Sequence, residues 1–261
     1  MDVDAYLRRI EYDGPRQPSA ATLRALHRQH LFAVPFENLD IPLRNPIRLD
    51  LAQLYNKIVL RRRGGFCYEL NGLFGELLTA MGFRVHMLSA RVREADGSFG
   101  PEFDHMLLRV ELEEPWLADV GFGDSFLNPF VLRAGGASEV NGRRYTVVPL
   151  DDEWQLVRED VTGRVPQYRF RDVPRRLSDY AGMCHFHQTS PDSHFTKSWT
   201  CSRATPDGRI TLANRRLIVT RGSNREERLL ATEAEVRDCL RDHFGIELPE
   251  SADLSVLVLS S

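Results

Sequence analysis

Apolar residues at Leu70, Leu73, Phe74, Leu77, Leu78 and Met81 recur at helical spacing, so one face of this segment has to be buried. Directly before it stands Arg63-Gly64-Gly65-Phe66-Cys67-Tyr68-Glu69-Leu70-Asn71, which puts a thiol at the start of a core helix. Unpaired backbone N–H groups and the positive end of the helix macrodipole favour a thiolate there. Gly64 and Gly65 allow a tight turn and a close backbone approach to whatever the sulfur meets. Arg61, Arg62 and Arg63, just upstream, are expected to add positive potential. A cysteine in a helix is ordinarily a small core residue. The glycine pair and the helix-start position mark this one as reactive.

The rest of the first 82 residues also reads as helical. Ser19 is placed to cap a helix through Leu23, Leu26 and His30, and Asp50 another through Leu54 and Ile58. Between them, Val34-Pro35-Phe36-Glu37-Asn38-Leu39 reads as an extended loop punctuated by proline. Gly82 suits the C′ position that ends the Cys67 helix. From Phe83 the pattern turns to strands, at 83–92, 105–112, 116–120, 144–148, 154–158 and 165–170, with Gly, Pro, Asn and Asp between them. That spacing predicts an antiparallel barrel or sandwich. A mixed segment follows Arg175, then a strand pair broken at Pro206-Asp207-Gly208 and a final helix over 232–244 with Val236 and Leu240 inward. With no repeat, low-complexity tract or linker between them, the parts are expected to share interfaces.

Lysine plus arginine (34) against aspartate plus glutamate (37) leaves a net charge of −3, which argues against wholesale nucleic-acid binding. With charged first residues and no apolar h-region after them, no secretion signal is expected, and no apolar run approaches the ~18 residues of a membrane span. Cys67, Cys184, Cys201 and Cys239 form no C-x-x-C pair and read as reduced thiols, so a cytoplasmic protein is expected.

A nucleophilic cysteine needs a base to hold its proton and a third group to orient that base. His105 begins an apolar strand and Asp119 lies near the end of another. If the fold joins them, Asp119 accepts from one imidazole nitrogen while the other pairs with the Cys67 sulfur. From the residues alone this constellation fits a cysteine acyltransferase or a hydrolase. Cys184, His185, His187 and His194 are the densest group of potential metal ligands. On a strand His185 and His187 would share a face, but no complete zinc-like set accompanies them, and no metal is expected. Gly121-Phe122-Gly123 lacks the third glycine and following helix of a dinucleotide fingerprint. His27, His30 and His86 are expected to have no catalytic role.

Residues 34–39, 63–71, His105-Met106-Leu107-Leu108, Leu117-Ala118-Asp119-Val120-Gly121-Phe122-Gly123 and Met183-Cys184-His185-Phe186-His187-Gln188-Thr189-Ser190-Pro191 resemble, in this order, the arylamine N-acetyltransferases. The resemblance spans nearly the whole chain. It implies an α+β fold: a helical N-terminal domain (1–82) carrying the nucleophile, an antiparallel β-barrel middle domain (83–190) carrying the histidine and aspartate, and an α/β C-terminal lid (191–261). It implies a catalytic triad of Cys67, His105 and Asp119. That triad would move an acetyl group from acetyl-CoA to an arylamine or arylhydrazine by a ping-pong route through acetyl-cysteine. Phe36, Phe122 and Phe195 match positions that line the acceptor pocket, and Gly121 and Gly123 match backbone beside the thioester arm of the cofactor. Glu37 and Arg63 look like a structural salt bridge tying the Phe36 loop to the catalytic helix, and Arg61 or Arg62 is a lesser candidate for the cofactor's phosphates. Acetyl-CoA would be a co-substrate, with no nucleic-acid or membrane partner. An amide synthase-type relative that joins a carrier-bound polyketide chain to an aryl amine would use the same triad. The lysine-poor composition, with Lys57 and Lys197 alone, suits such a source. A papain-like hydrolase, which needs no coenzyme A, and a non-catalytic binding module are the remaining alternatives.

Overall fold

The computed structural model describes residues 1–259. The chain opens with α1 (Val3–Arg9), α2 (Ala20–Ala33), the two-residue strand β1 (Phe36–Glu37), α3 (Leu51–Tyr55) running into a π-helical turn (Asn56–Leu60), and α4 (Cys67–Ala80). Asp2, Ser19 and Asp50 cap α1, α2 and α3 by accepting from the N–H groups of Ala5, Thr22 and Gln53. Gly82, at φ +88°, supplies the left-handed turn after α4. The stripe Leu70, Leu73, Phe74, Leu77 and Leu78 is fully buried, packed on α1, α2 and the strands that follow.

Those strands are β2 (Arg84–Val92), β3 (His105–Glu111), β4 (Pro115–Ala118), β5 (Phe130–Val131), β6 (Ala137–Val140), β7 (Arg143–Leu150), β8 (Glu153–Asp160) and β9 (Gly163–Arg175). They pair antiparallel in the order β5-β4-β3-β2-β9-β8-β7-β6, and β5 and β6 lie against each other, so the sheet is a nearly closed barrel and not a sandwich. Leu107, Leu117, Tyr145, Leu156, Tyr168 and Phe170 belong to its packed core. Two helices, α5 (Ala181–Thr189) and α6 (His194–Lys197), lead to β10 (Thr200–Thr205), β11 (Gly208–Ala213), β12 (Arg216–Arg221) and β13 (Asn224–Leu229). α7 (Glu233–Phe244) buries Val236, Cys239, Leu240 and Phe244, and α8 (Ser255–Leu259) closes the described chain. Thr232 and Glu235 cap α7 reciprocally. Among the described residues no helix is long and apolar enough to cross a membrane.

The segment read as a proline-punctuated loop does more than connect. Phe36 and Glu37 pair with Ser202 and Cys201, making β1 the edge of the second sheet, and the Glu37 N–H donates to the Gly65 carbonyl at 2.9 Å. One short strand therefore stitches the Cys67 loop to the C-terminal sheet. The Glu37–Arg63 pair is present and belongs to a larger buried network. Arg63 bridges Glu37 (2.8 Å) and Asp40 (3.1 Å), and Lys57 bridges Asp40 and Glu69 (both 2.7 Å). Three carboxylates face two cations. Burial pushes Glu69 up to about 7 despite Lys57 beside it, whereas Lys57 and Arg63 overcome burial and hold Asp40 down to about 2. Arg63→Ala would strand two buried carboxylates, so a loss of ~3–5 kcal/mol is expected in urea unfolding. A loss within 1 kcal/mol would mean that water already compensates these charges.

Candidate active site

Cys67 is the first residue of α4 and is 3% exposed. The Phe66 N–H before it is taken by the Glu69 carboxylate at 3.1 Å. One turn on, the buried Asn71 donates to the Met106 carbonyl (2.6 Å) and to Asp119 Oδ1 (2.9 Å), and its own oxygen accepts from the Val120 N–H (2.9 Å). The catalytic-helix candidate is thereby locked to β3 and to the segment after β4. At Gly121 a Cβ would lie 2.8 Å from Cys67 Cα and 2.6 Å from Asn71 Nδ2, so only glycine lets this segment pack on the cysteine's own backbone.

His105 opens β3, and its Nε2 lies 2.8 Å from Asp119 Oδ2. Asp119 is fully buried as a side chain and accepts three further hydrogen bonds, from Tyr168 Oη (3.0 Å), Asn71 and the Gly121 N–H (2.9 Å). Burial works against the charge, yet His105 and these donors hold the carboxyl below its ordinary range. A carboxylate acceptor at Nε2 fixes the proton there and leaves Nδ1 as an acceptor. Cys67 and His105 line one cavity. Burial first, then the charges of Asp104 and Asp119, push the Cys67 thiol well up, with the Met106 backbone opposing. The helix terminus therefore does not produce a thiolate unaided. Nor do the upstream arginines: Arg63 is held in the ion network, and Arg61 and Arg62 are exposed and do not line the cavity.

That cavity, about 460 Å³, has Phe36, Phe122 and Phe195 among its walls, with Ser202, Arg209 and Thr211 on a polar side. Phe122 sits edge-on to His105 at 5.1 Å, and Phe36 is 6.3 Å from Phe195. Gly123 holds φ +86° with its open face toward the Phe36 ring. A larger groove of about 1080 Å³, lined by Asp40, Arg48, Lys57, Arg61 and Glu247 among others, contains neither Cys67 nor His105. Arg61 thus faces that groove and not the thiol.

Three polar residues around Asp119 escaped the sequence reading. Asn71 lies within the cysteine block, one helical turn from Cys67, which is a usable signal. Tyr168 carried none. Nor did His27, whose Nδ1 lies 2.9 Å from the Leu127 carbonyl. A carbonyl only accepts, so Nδ1 carries the proton and Nε2 accepts from the Asp119 N–H at 3.1 Å. Burial pushes His27 down to about 4, which keeps this neutral tautomer. His27 is stacked on Phe126 and joins both ends of the 119–127 segment that carries Gly121, Phe122 and Gly123. His27→Leu should lower kcat by about 10- to 100-fold through displacement of Asp119. Steady-state kinetics on a folded variant check this, and unchanged kcat would reduce His27 to packing. Of the histidines in that group, His185 and His187 lie on the helix α5, where His185 is exposed and His187 buried, and His194 opens α6. They do not share the single strand face considered above.

A buried thiol and an imidazole lining one cavity, with a carboxylate bonded to that imidazole, fit the class of cysteine acyltransferases and hydrolases. A family model described as N-acetyltransferase matches residues 19–253. An arylamine N-acetyltransferase of Mycolicibacterium smegmatis is 36% identical over 263 residues, covering 98% of this chain and 96% of that protein. One from Escherichia coli K12 is 34% identical over 94% of this chain and 89% of its own. The solved M. smegmatis arylamine N-acetyltransferase superposes with a TM-score of 0.91 at 35% identity, covering 99% and 97% of the two chains. A Mycobacterium marinum arylamine N-acetyltransferase solved in complex with CoA gives 0.90 at 33% identity, over 98% and 97%. The chain belongs to the arylamine N-acetyltransferase family.

Proposed function

We propose that this protein moves an acetyl group from acetyl-CoA to the nitrogen of an arylamine or arylhydrazine through an acetyl-Cys67 thioester. The observation that carries the reading is the His105–Asp119 bond at a cavity shared by Cys67 and walled by three phenylalanines. The CoA-bound M. marinum relative supports the donor.

His105 Nδ1 takes the Cys67 proton, and Asp119 stabilises the imidazolium. The thiolate adds to the acetyl carbonyl, the bond to the CoA sulfur breaks, and that sulfur leaves with the proton from His105. N–H groups opening α4 are suited to the transient oxyanion, with that of Phe66 already engaged. The arylamine nitrogen then attacks the thioester, His105 accepts a proton from that nitrogen, and the Cys67–acyl bond breaks to release the amide. Phe36, Phe122 and Phe195 suit a flat apolar ring, while backbone at Gly121 and Gly123 borders the path of the thioester arm. All four cysteines are free, which suits the cytoplasm.

Intact mass after acetyl-CoA alone tests the reading. A ~42 Da gain that disappears on adding an arylamine is expected. No adduct on folded protein would overturn it and shift weight to a carrier-bound acyl donor.

A further inference from the structure

Two carboxylates oppose a negative charge on Cys67, and only one of them contacts His105. The other is Asp104, the residue before His105, which lines the same cavity. Its Oδ2 accepts from the Val92 N–H at 3.3 Å. Its Oδ1 lies 3.2 Å from His187 Nε2, a charge contact without the alignment of a hydrogen bond.

His187 comes from α5 and is 2% exposed. Its ring stacks on Tyr68, the residue after Cys67, and lies edge-on to Phe195. Nδ1 sits 3.2 Å from Ser193 Oγ. That oxygen accepts from the Phe195 N–H (3.2 Å) and directs its own proton to the His187 carbonyl (3.3 Å). Its remaining capacity is to accept, so Nδ1 carries a proton. Nε2 turns to the Asp104 carboxylate, so a proton there would complete a second carboxylate–imidazole pair. The other titratable groups against His187 are Tyr68 and His194. Burial first, and next the neighbouring His187, hold His194 below the ordinary imidazole range. Around Cys67 itself stand His105, Asp104, Asp119, Cys184, Tyr68 and Tyr180.

We propose that His187 is a positioning residue that neutralises Asp104, so that Cys67 works between two carboxylate–imidazole pairs, Asp119–His105 and Asp104–His187. The inference rests on Cys67 being the nucleophile. Without His187, Asp104 keeps the Val92 N–H but loses its facing ring in the cavity it shares with Cys67, and the thiolate becomes harder to form.

The test is the pH dependence of Cys67 alkylation by iodoacetamide, which a purely structural role for His187 would not move. His187→Phe, which keeps a ring on Tyr68, should raise the midpoint by about one pH unit. Adding Asp104→Asn to that variant should bring it back toward the unsubstituted protein. An unmoved midpoint in folded His187→Phe, or a double variant no nearer the original, would overturn the proposal. If His187→Phe does not fold, the His187 ring resonances decide. At pH 7 they should sit at the imidazolium position and move to the neutral one in Asp104→Asn, and an unchanged position overturns the proposal. Failure of Cys67 to acetylate would refute the acetyltransferase reading and leave this ring-shift result standing separately.

Discussion

Cys67→Ala should abolish acetyl transfer, lowering kcat/KM by at least ~10⁴-fold, with the fold retained. Cys67 opens α4 and lines the same cavity as His105, whose Nε2 is bonded to the Asp119 carboxylate. Without Cys67, an arylamine must attack the CoA thioester directly, and His105 can still accept a proton but no acyl-enzyme forms. Serine is expected to serve little better, because its hydroxyl holds its proton far more tightly than a thiol and His105 gains no ion pair from it. Stability should change little. The thiol is small and already desolvated, and the charges of Asp104 and Asp119 disfavour its ionised form. Its removal therefore costs no more than about 1–2 kcal/mol. Arylamine acetylation assays and thermal unfolding on the same preparation check both halves. Turnover within tenfold of the unsubstituted protein would remove Cys67 from the chemistry.

What could be read ahead of the structure divides by distance along the chain. The α4 stripe, the caps at Ser19 and Asp50 and the turn at Gly82 are local signals, and each is present in the fold. The alternating strands carried the antiparallel sheet, but choosing barrel over sandwich needs the contact between β5 and β6, two short strands with little periodicity of their own. β1, at two residues, has none at all; its partners on β10 supply it. The segment 181–189 carries cysteine and histidines that suggest a ligand group, and only the helix shows that His185 and His187 diverge. At the site, Cys67, His105, Asp119, Phe36 and Phe122 lie inside recognisable blocks, whereas Phe195 lies beyond the last of them. The bonds to Asp119 from His27, Asn71 and Tyr168 span 92, 48 and 49 residues, and no local pattern encodes them. The expected help from Arg61 and Arg62 failed for a similar reason. Their positions in sequence are close to Cys67, while their side chains point elsewhere.

Asp119→Asn should be nearly as damaging to catalysis as loss of the nucleophile, on the order of 10³–10⁴-fold in kcat, by way of a tautomer. The carboxylate accepts from four donors. On the Oδ1 side, Asn71 Nδ2 and the Gly121 N–H are donors that cannot change role. On the Oδ2 side, His105 can shift its proton and the Tyr168 hydroxyl can turn. An asparagine will therefore set its oxygen toward Asn71 and Gly121 and its NH₂ toward His105. That NH₂ needs an acceptor, so His105 moves its proton to Nδ1, where it faces the sulfur and can no longer take the proton of Cys67. The acid limb of stability should change as well. Because the folded carboxyl lies below its unfolded value of about 3.9, its contribution is present above pH ~4 and lost as pH falls through the lower folded value. The stability advantage over Asp119→Asn should thus hold steady from pH 8 to 5 and shrink in stronger acid, where urea unfolding can follow it. Alkylation of Cys67 near neutral pH should slow in the variant. A folded Asp119→Asn protein that alkylates and acetylates at the original rates would show that His105 keeps its tautomer without this carboxylate, and would take Asp119 out of the catalytic set.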